Sequence, residues 1–400
     1  MLFDPHDPDF LRDPYPTYDR LRAEGPIQFD EAAGMWFVFT YEDVTALLRD
    51  RRLGRQIDHV LSREARGLPP KNPAYAPFDA LSEHSMFDKE PPDHTRLRSL
   101  VHKAFTPKRV ENLRERVKQI AHDLLDEAAA RGAMDVIADF ATPLPVTVIA
   151  ELLGIPEADR RLLRPWSQAI VALYELDHTP EQAERAICAA EEFAAYLRDL
   201  SRARRADPQD DLISALALVT DNGDRLTEAE LISTCVLLLN AGHEATVNVI
   251  GNGLLALLTH PDQRQRLTAH PELLNSAVEE MMRYDTPLQL FRRWVLEDIA
   301  YKDKVFKQGT EIALLFGAAN RDPAQFPDPH CFDIARAEND HIAFGMGIHY
   351  CLGAPLARLE LQIAFDALLR RFPALHLTGS PPAYRPAYVI RGLQALNVNL

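Results

Sequence analysis

The chain has 400 residues with a formal net charge of −15, 46% hydrophobic and 26% charged residues, 17 glycines and 29 prolines. Such length exceeds one ordinary core of about 100–200 residues, so two domains or one large helical domain are expected, and the composition excludes disordered, collagenous and low-complexity classes. The acidic balance excludes the basic footprint of a general nucleic-acid binder, and Cys188, Cys235, Cys331 and Cys351 form no disulfide framework. Met1–Pro8 has no basic n-region leading into an apolar run, and no stretch reaches the roughly 18 apolar residues of a membrane span. A soluble cytoplasmic protein with no membrane or nucleic-acid partner is expected.

In chain order, Ile27–Phe29 and Trp36–Phe39 read as strands turning through Gly34. Thr40 then caps a helix with Val44, Leu47 and Leu48 on one face. The stretch 67–92 holds Pro69, Pro70, Pro73, Pro77, Pro91 and Pro92, which leaves no room for a long helix and marks a functional loop. From His94 to about Leu218 helical periodicity dominates, for example Leu113, Val117, Ile120 and Leu124.

Asp221-Asn222-Gly223-Asp224 is a turn, and Thr227 with Glu230 has capping-box spacing. With no proline before Pro261, a helix of about 32 residues, roughly 48 Å long, is predicted. Beyond Pro287 the period returns to strands at Leu288–Val295, Tyr301–Phe306 and Glu311–Phe316, with Gly309 turning between the last two. A final amphipathic helix runs from about Pro355 to Arg371. With no internal repeat or linker, one domain over 1–400 is expected. It has a strand-rich lobe from about 1–60 and 285–316, with helices for the rest.

The decisive segment is Phe344-Gly345-Met346-Gly347-Ile348-His349-Tyr350-Cys351-Leu352-Gly353. Two glycines bring backbone close to something flat, and Cys351 stands where a helix begins. Unpaired N–H groups and the dipole end there stabilise a thiolate, as metal ligand or nucleophile. Zinc held by Cys331, His341, His349 and Cys351 is a weaker reading, because no pair has Cys-x₂₋₄-Cys spacing. Cys188 and Cys235 read as small buried hydrophobes.

On these residues the whole chain resembles a bacterial cytochrome P-450, a mainly α fold with a minor β portion. The segment is similar to that family's haem-binding loop, Phe-Gly-x-Gly-x-His-x-Cys-x-Gly, at all six fixed positions. The resemblance implies haem b with Cys351 as axial thiolate, which favours O–O cleavage. It places Phe344, Gly345, Gly353 and Ala241 around the macrocycle. Glu280-Met281-Met282-Arg283 resembles the family's buried Glu-x-x-Arg. Cys331 stands where many members carry that pair's third partner, an arginine, which leaves Arg336 as the candidate. Pro92-Asp93-His94-Thr95-Arg96-Leu97-Arg98 and Arg293-Trp294-Val295-Leu296-Glu297-Asp298 resemble the segments that meet the haem propionates. The implied partners are His94, Arg98, Arg293 and His349, since buried carboxylates need charge-assisted donors.

Ala241-Gly242-His243-Glu244-Ala245-Thr246 is similar to the oxygen-activation motif, Ala-Gly-x-Glu/Asp-Thr-Thr. It departs where Ala245 replaces the first threonine. Glu244 and Thr246 are the remaining proton-relay candidates, with ordered water or a substrate hydroxyl completing the relay. Gly242, in mid-helix, implies either room for a ligand or tight helix packing.

The implied pocket walls are Phe78, Leu81, Met86, Phe87, Leu238, Leu239, Ala241, Leu288, Leu290, Phe291 and Ile390, so a hydrophobic small molecule is the expected substrate. Gln289 and His243 are the candidate polar contacts. Electrons from NAD(P)H are expected through a separate ferredoxin reductase and ferredoxin. Arg96, Arg98, Lys103, Lys108, Arg109, Arg114, Arg116 and Lys118 outnumber Asp93, Glu111 and Glu115 over residues 91–118, a local basic dock that Arg358 could join. Insertion of one atom of O₂ into an apolar substrate is the expected reaction. A peroxide-driven oxidant, an isomerase, a dehydratase and a haem gas sensor are the alternatives.

Overall fold

The computed structural model describes residues 1–175, 178–379 and 382–400. The chain divides into two compact units, Met1–Gly54 with Glu115–Leu144 and Glu244–Leu400, and Arg55–Arg114 with Pro145–His243.

The first unit holds a five-stranded sheet in the order Ile27–Asp30, Met35–Val38, Glu311–Leu314, Phe291–Val295, Leu53–Gly54. Gly34 makes the first turn at φ 65, in the left-handed region glycine tolerates. Met35–Val38 runs parallel to Glu311–Leu314 with Trp36 opposite Ile312, and Phe291–Val295 runs antiparallel on the other side, placing Arg293 opposite Ile312. Thr40 caps helix Tyr41–Arg49 through the Asp43 amide, so Val44, Leu47 and Leu48 pack with Val38, Leu314 and Phe316. A second cluster joins Phe10, Tyr15 and Tyr18 of the N-terminal helices to Leu290, Ala313 and Tyr388. Helices Leu274–Tyr284 and Ala354–Arg371 complete the part that frames Cys351.

In the second unit, Asp93–Ala104, Arg160–Val171 and Pro180–Ala206 are the main helices. The proline-rich stretch does form one helix, the eight-residue Ala76–Glu83, because Pro77 sits in its first turn, where a missing N–H costs nothing. Helix Glu228–Thr259 spans 32 residues. Its start is a reciprocal capping box: the Glu230 amide donates to Thr227 Oγ1 at 3.2 Å and the Thr227 amide to Glu230 Oε2 at 2.8 Å. Two strand expectations need revision. The predicted Leu288–Val295 strand starts only at Phe291. Tyr301–Phe306 is a hairpin, Ile299–Tyr301 against Lys304–Phe306, turned by Lys302 at φ 52. Glu311–Leu314 therefore pairs with distant strands, while Gly309 at φ 84 turns the chain into it.

Candidate haem-thiolate site

Gly345 and Gly347 have φ of 68 and 74, conformations costly for any residue with a Cβ. At Gly347 a Cβ would also stand 2.6 Å from the Leu48 carbonyl oxygen, so the loop runs against backbone there. A short 3₁₀ turn, Gly347–His349, follows. The Cys351 amide donates to the Phe344 carbonyl at 3.0 Å, closing the loop. Helix Ala354–Arg371 starts three residues later with Gly353 at its cap, and a Cβ on Gly353 would lie 3.9 Å from Cys351 Sγ. The sulfur therefore sits, half-buried, at a helix N-terminus that favours its anionic form.

Two charge networks hold this loop. Glu279 receives Arg358 Nε and Nη2 at 2.7 and 2.8 Å and His341 Nε2 at 3.0 Å. The Arg358 guanidinium also lies 4.5 Å from the Phe344 ring centroid. Burial by itself would raise the Glu279 carboxyl, but the hydrogen bonds from Arg358 and His341 outweigh it and hold the pKa at about 2. Neighbouring Glu280, fully buried, takes Arg283 Nε and Nη2 at 2.7 and 2.8 Å, the Asp333 amide at 2.9 Å and Arg336 Nε at 3.1 Å. Arg283 further donates to the carbonyls of Asn320, Pro329 and Cys331. Arg336 thus stands as third partner to the pair. Cys331 contributes only its carbonyl and is exposed. Among the described residues no cluster of His, Cys, Asp and Glu could hold a metal ion, which removes the zinc alternative.

In this unit Arg293 is 3% exposed on strand Phe291–Val295, its guanidinium 4.7 Å from the Phe291 ring centroid. Leu288 and Ile390 pair as an isolated β-bridge, and Phe291 stacks on Phe316 with ring centroids 5.9 Å apart. Leu290 points the other way, into the Phe10–Tyr18 core, and Gln289 is likewise absorbed by it. The Gln289 amide accepts from the Tyr18 hydroxyl at 2.8 Å and donates to the Thr286 carbonyl at 2.6 Å, so both its ends are engaged and it offers no polar contact to a ligand.

In the other unit, His94 is buried in the first turn of Asp93–Ala104, one helical turn before Arg98. Burial, then the Arg98 charge, lower its pKa to about 4, leaving a neutral imidazole. Phe78 and Leu81 lie on helix Ala76–Glu83, and Met86 and Phe87 on the short turn after it. Arg55 stands 4.4 Å over the Phe87 ring. Leu238 and Leu239 are buried on the long helix, where His243 turns back so that Nδ1 meets the Leu239 carbonyl at 2.8 Å, which removes that nitrogen from ligand contact. The basic segment is largely neutralised: Arg96 pairs with Glu230 and Asp224, Lys103 with Asp221 at 2.6 Å, and Arg109 with Asp210 at 3.7 Å. Local sequence counting missed these acids because they arrive from residues 210–230. Arg358, committed to Glu279, is no free docking charge either.

On the long helix, Ala241 and Ala245 are exposed while Asn240, His243, Thr246 and Val247 around them are buried. At i, i+4 the two alanines share one face, and side chains this small leave it open. Gly242 has a packing reason, since a Cβ there would meet Ile149 Cγ1 at 3.3 Å. Glu244 is 14% exposed and 3.5 Å from Arg385.

Two residues escaped the sequence reading. Glu360 is 1% exposed, and neither carboxyl oxygen has a partner at ordinary hydrogen-bond length. Burial pushes its pKa well up, and the Thr246 hydroxyl beside it opposes that only in part. Its signal was an acid on the apolar stripe of Leu356, Leu359 and Ile363. Asn240, similarly, interrupts the apolar run Val236–Leu239.

The donor set fits haem. Within the first unit it offers the Cys351 sulfur just ahead of a helix N-terminus, two left-handed glycines on the same loop, an exposed Ala245, and a buried Arg293 of the kind carboxylates require. The cytochrome P450 family model matches residues 160–391. The polyketide biosynthesis cytochrome P450 PksS of Bacillus subtilis (strain 168) is 42% identical, covering 100% of this chain and 99% of that protein. The cytochrome P450 monooxygenase PikC of Streptomyces venezuelae is 44% identical over 98% of this chain and 92% of its own length. The crystal structure of P450BioI in complex with hexadec-9Z-enoic acid ligated acyl carrier protein superposes with a TM-score of 0.91 at 39% identity, covering 98% of this chain and 100% of that one. The chain belongs to the cytochrome P450 family of haem-thiolate monooxygenases.

Proposed function

We propose that the protein inserts one oxygen atom into a mostly apolar small molecule, with electrons from NAD(P)H passed by a separate reductase and ferredoxin. The observation that carries this reading is the Cys351 loop, with its two left-handed glycines and its sulfur at a helix start. Haem b, when bound, supplies O₂ reduction and oxygen-atom transfer, the second atom leaving as water. Cys351 is the proposed ligand, and His94, Arg98, Arg293 and His349 the propionate partners. Phe78, Leu81, Met86, Phe87, Leu238, Leu288, Phe291 and Ile390 would bind the substrate's apolar surface and exclude water.

Proton supply falls to this chain's own groups. The Glu360 carboxyl, held protonated by burial, stores a proton beside Thr246 Oγ1. Glu244, near the surface beside Arg385, exchanges with solvent. Ala245 brings no hydroxyl, so water or a substrate hydroxyl on the open helix face completes the path.

Reduction of the purified protein under carbon monoxide, followed by turnover with ferredoxin, reductase and NAD(P)H, tests the reading. A thiolate-type carbonyl Soret band and partner-dependent product are expected. A band typical of imidazole ligation would refute the Cys351 assignment. Ala245 also supports a second reading, a peroxide-driven oxidant, and product formed with hydrogen peroxide but not with redox partners would favour it.

A further inference from the structure

Asp285 and Arg391 form a buried ion pair, each residue 6% exposed, with Arg391 Nε donating to Asp285 Oδ1 at 2.7 Å. Burying such a pair gains little by itself, since desolvation offsets the attraction. Here the pair joins separate segments of one compact unit. Tyr15, from an N-terminal helix, and Tyr384, from the C-terminal segment, each donate a hydroxyl to Asp285 at 2.8 Å. Arg391 Nη2 donates to the Arg12 carbonyl at 2.9 Å and Nη1 to that of Leu11. The same guanidinium lies 3.6 Å from the Tyr384 ring centroid.

Backbone bonds extend the junction. The Arg391 amide donates to the Pro287 carbonyl at 2.7 Å and the Gln289 amide to the Val389 carbonyl at 3.0 Å, so Leu288 and Ile390 face each other as a bridge. Next to it stands the part of the long helix within this unit, whose Ala245, Asn248 and Asn252 share one face at i, i+3 and i+7. Asn252 Nδ2 reaches the carbonyls of Asp285 and Arg391 at 3.5 and 3.4 Å. Asn248 Oδ1 accepts from Arg385 at 3.1 Å, and a Cβ on Gly392 would overlap that oxygen, so the C-terminal segment lies directly on this face. Ala245, one turn back along it, is exposed.

Burial then sorts the side chains. Gln289, Leu290, Tyr388 and Arg391 are buried, whereas Leu288 and Ile390 among them are only half-buried. Nearby, Phe291 stacks on Phe316 with centroids 5.9 Å apart, and the Phe316 ring lies 3.8 Å from where a Gly345 Cβ would stand. The segment carrying the bridge is thus tied on one side to the thiolate loop and on the other to the helix face that bears Ala245.

We propose that Asp285 and Arg391 are positioning residues for the substrate. Their ion pair fixes how far the Leu288–Ile390 bridge stands from the Ala245 face, and so sets the width of the apolar pocket at that wall. A bridge of one residue pair has little stiffness of its own. The clamp supplies it through charge-assisted bonds, about twice as strong as neutral ones. The inference rests on the reading of this protein as a monooxygenase with Leu288 and Ile390 in its pocket wall, and it names what holds that wall in place.

Azole titration of the ferric holoprotein tests it, because a ligand that bonds iron through nitrogen requires no natural substrate. Imidazole fills only the space at the iron, whereas 1-dodecylimidazole carries an apolar chain along the pocket walls. Both are titrated optically on the wild type, Asp285→Asn, Tyr384→Phe and Tyr301→Phe. Asp285→Asn keeps the shape but removes the charge that holds Arg391. It should weaken 1-dodecylimidazole about tenfold, the lower end of what one methylene of misfit costs in an apolar pocket, and leave imidazole unchanged. Tyr384→Phe removes a single bond and should act in the same direction to a smaller extent. Tyr301→Phe loses an equal 2.8 Å bond, to Asp43, elsewhere in the unit. It should lower the melting midpoint as Tyr384→Phe does and leave the ratio of the two affinities unaltered.

A lower midpoint with an unchanged ratio in both Asp285→Asn and Tyr384→Phe would mean that the network only holds the fold, and would overturn the inference. Equal weakening of both azoles would overturn it too, by placing the effect at the iron rather than at the wall. Should Asp285→Asn not accumulate as folded protein, Tyr384→Phe decides alone. Failure of the underlying reading looks different. A wild type whose reduced carbonyl complex lacks the thiolate band would remove the haem-thiolate assignment. One that binds 1-dodecylimidazole no more tightly than imidazole would remove the apolar pocket, and the inference with it.

Discussion

Replacing Glu280 by alanine probes the framework behind the thiolate loop. In the wild type the fully buried Arg283 makes two bonds to Glu280 and three to the carbonyls of Asn320, Pro329 and Cys331. Glu280→Ala leaves those carbonyl contacts but strands a guanidinium charge with no counter-ion, and it also removes the carboxylate beneath Arg336 and the Asp333 amide. Breaking one side of a buried ion pair costs about 3–5 kcal/mol. Against total stabilities of about 5–15 kcal/mol, that is about a fifth or more. Equilibrium urea unfolding followed by far-ultraviolet circular dichroism measures the loss, and Soret absorbance reports haem retention. Glu280→Gln, which keeps an acceptor oxygen but no charge, should fall between the two. A loss of under about 1 kcal/mol for Glu280→Ala, the worth of an exposed pair, would refute the view that this network is a desolvated anchor of the loop.

Gly347→Ala should lower haem occupancy and the melting temperature, because φ 74 and a Cβ 2.6 Å from the Leu48 carbonyl oxygen leave an alanine no relaxed position; Gly242→Ala should be far milder, since its φ is ordinary and only the Ile149 side chain, at 3.3 Å, must yield. The Glu279 carboxyl, held at about 2 when folded against about 4.3 in an unfolded chain, stabilises the protein fully above the unfolded value. That contribution fades as pH falls from about 4 towards about 2, so Glu279→Gln should flatten the acid limb of an unfolding-versus-pH curve. Glu360→Gln keeps shape but stores no acidic proton, so coupling of NAD(P)H oxidation to product should fall while the thiolate carbonyl band stays. Ala245→Thr should raise coupling for substrates without hydroxyls, and unchanged coupling across both substrate types would refute the substrate-assisted path.

Most of the local architecture was legible because it depends on residues near one another in the chain. Thr40 as a cap, the Gly34 turn, the Thr227–Glu230 box and the 32-residue helix each follow from spacing alone. The cysteine loop was equally legible, since left-handed glycines and a helix start leave a fixed linear pattern. Other features depend on partners far away in sequence, which only the tertiary structure supplies. Tyr301–Phe306 became a hairpin because Glu311–Leu314 found better edges on Met35–Val38 and Phe291–Val295. The basic segment lost its apparent charge to Asp210, Asp221, Asp224 and Glu230.

Gln289 and Leu290 pack into the core because the Tyr18 hydroxyl holds the Gln289 amide and Leu290 joins the Phe10–Tyr18 cluster, partners some 270 residues away in sequence. Glu360 and Asn240 look like ordinary helix residues until burial is known. A carboxyl or an amide is costly only once water is removed, and that removal belongs to the packed fold rather than to any segment of the chain.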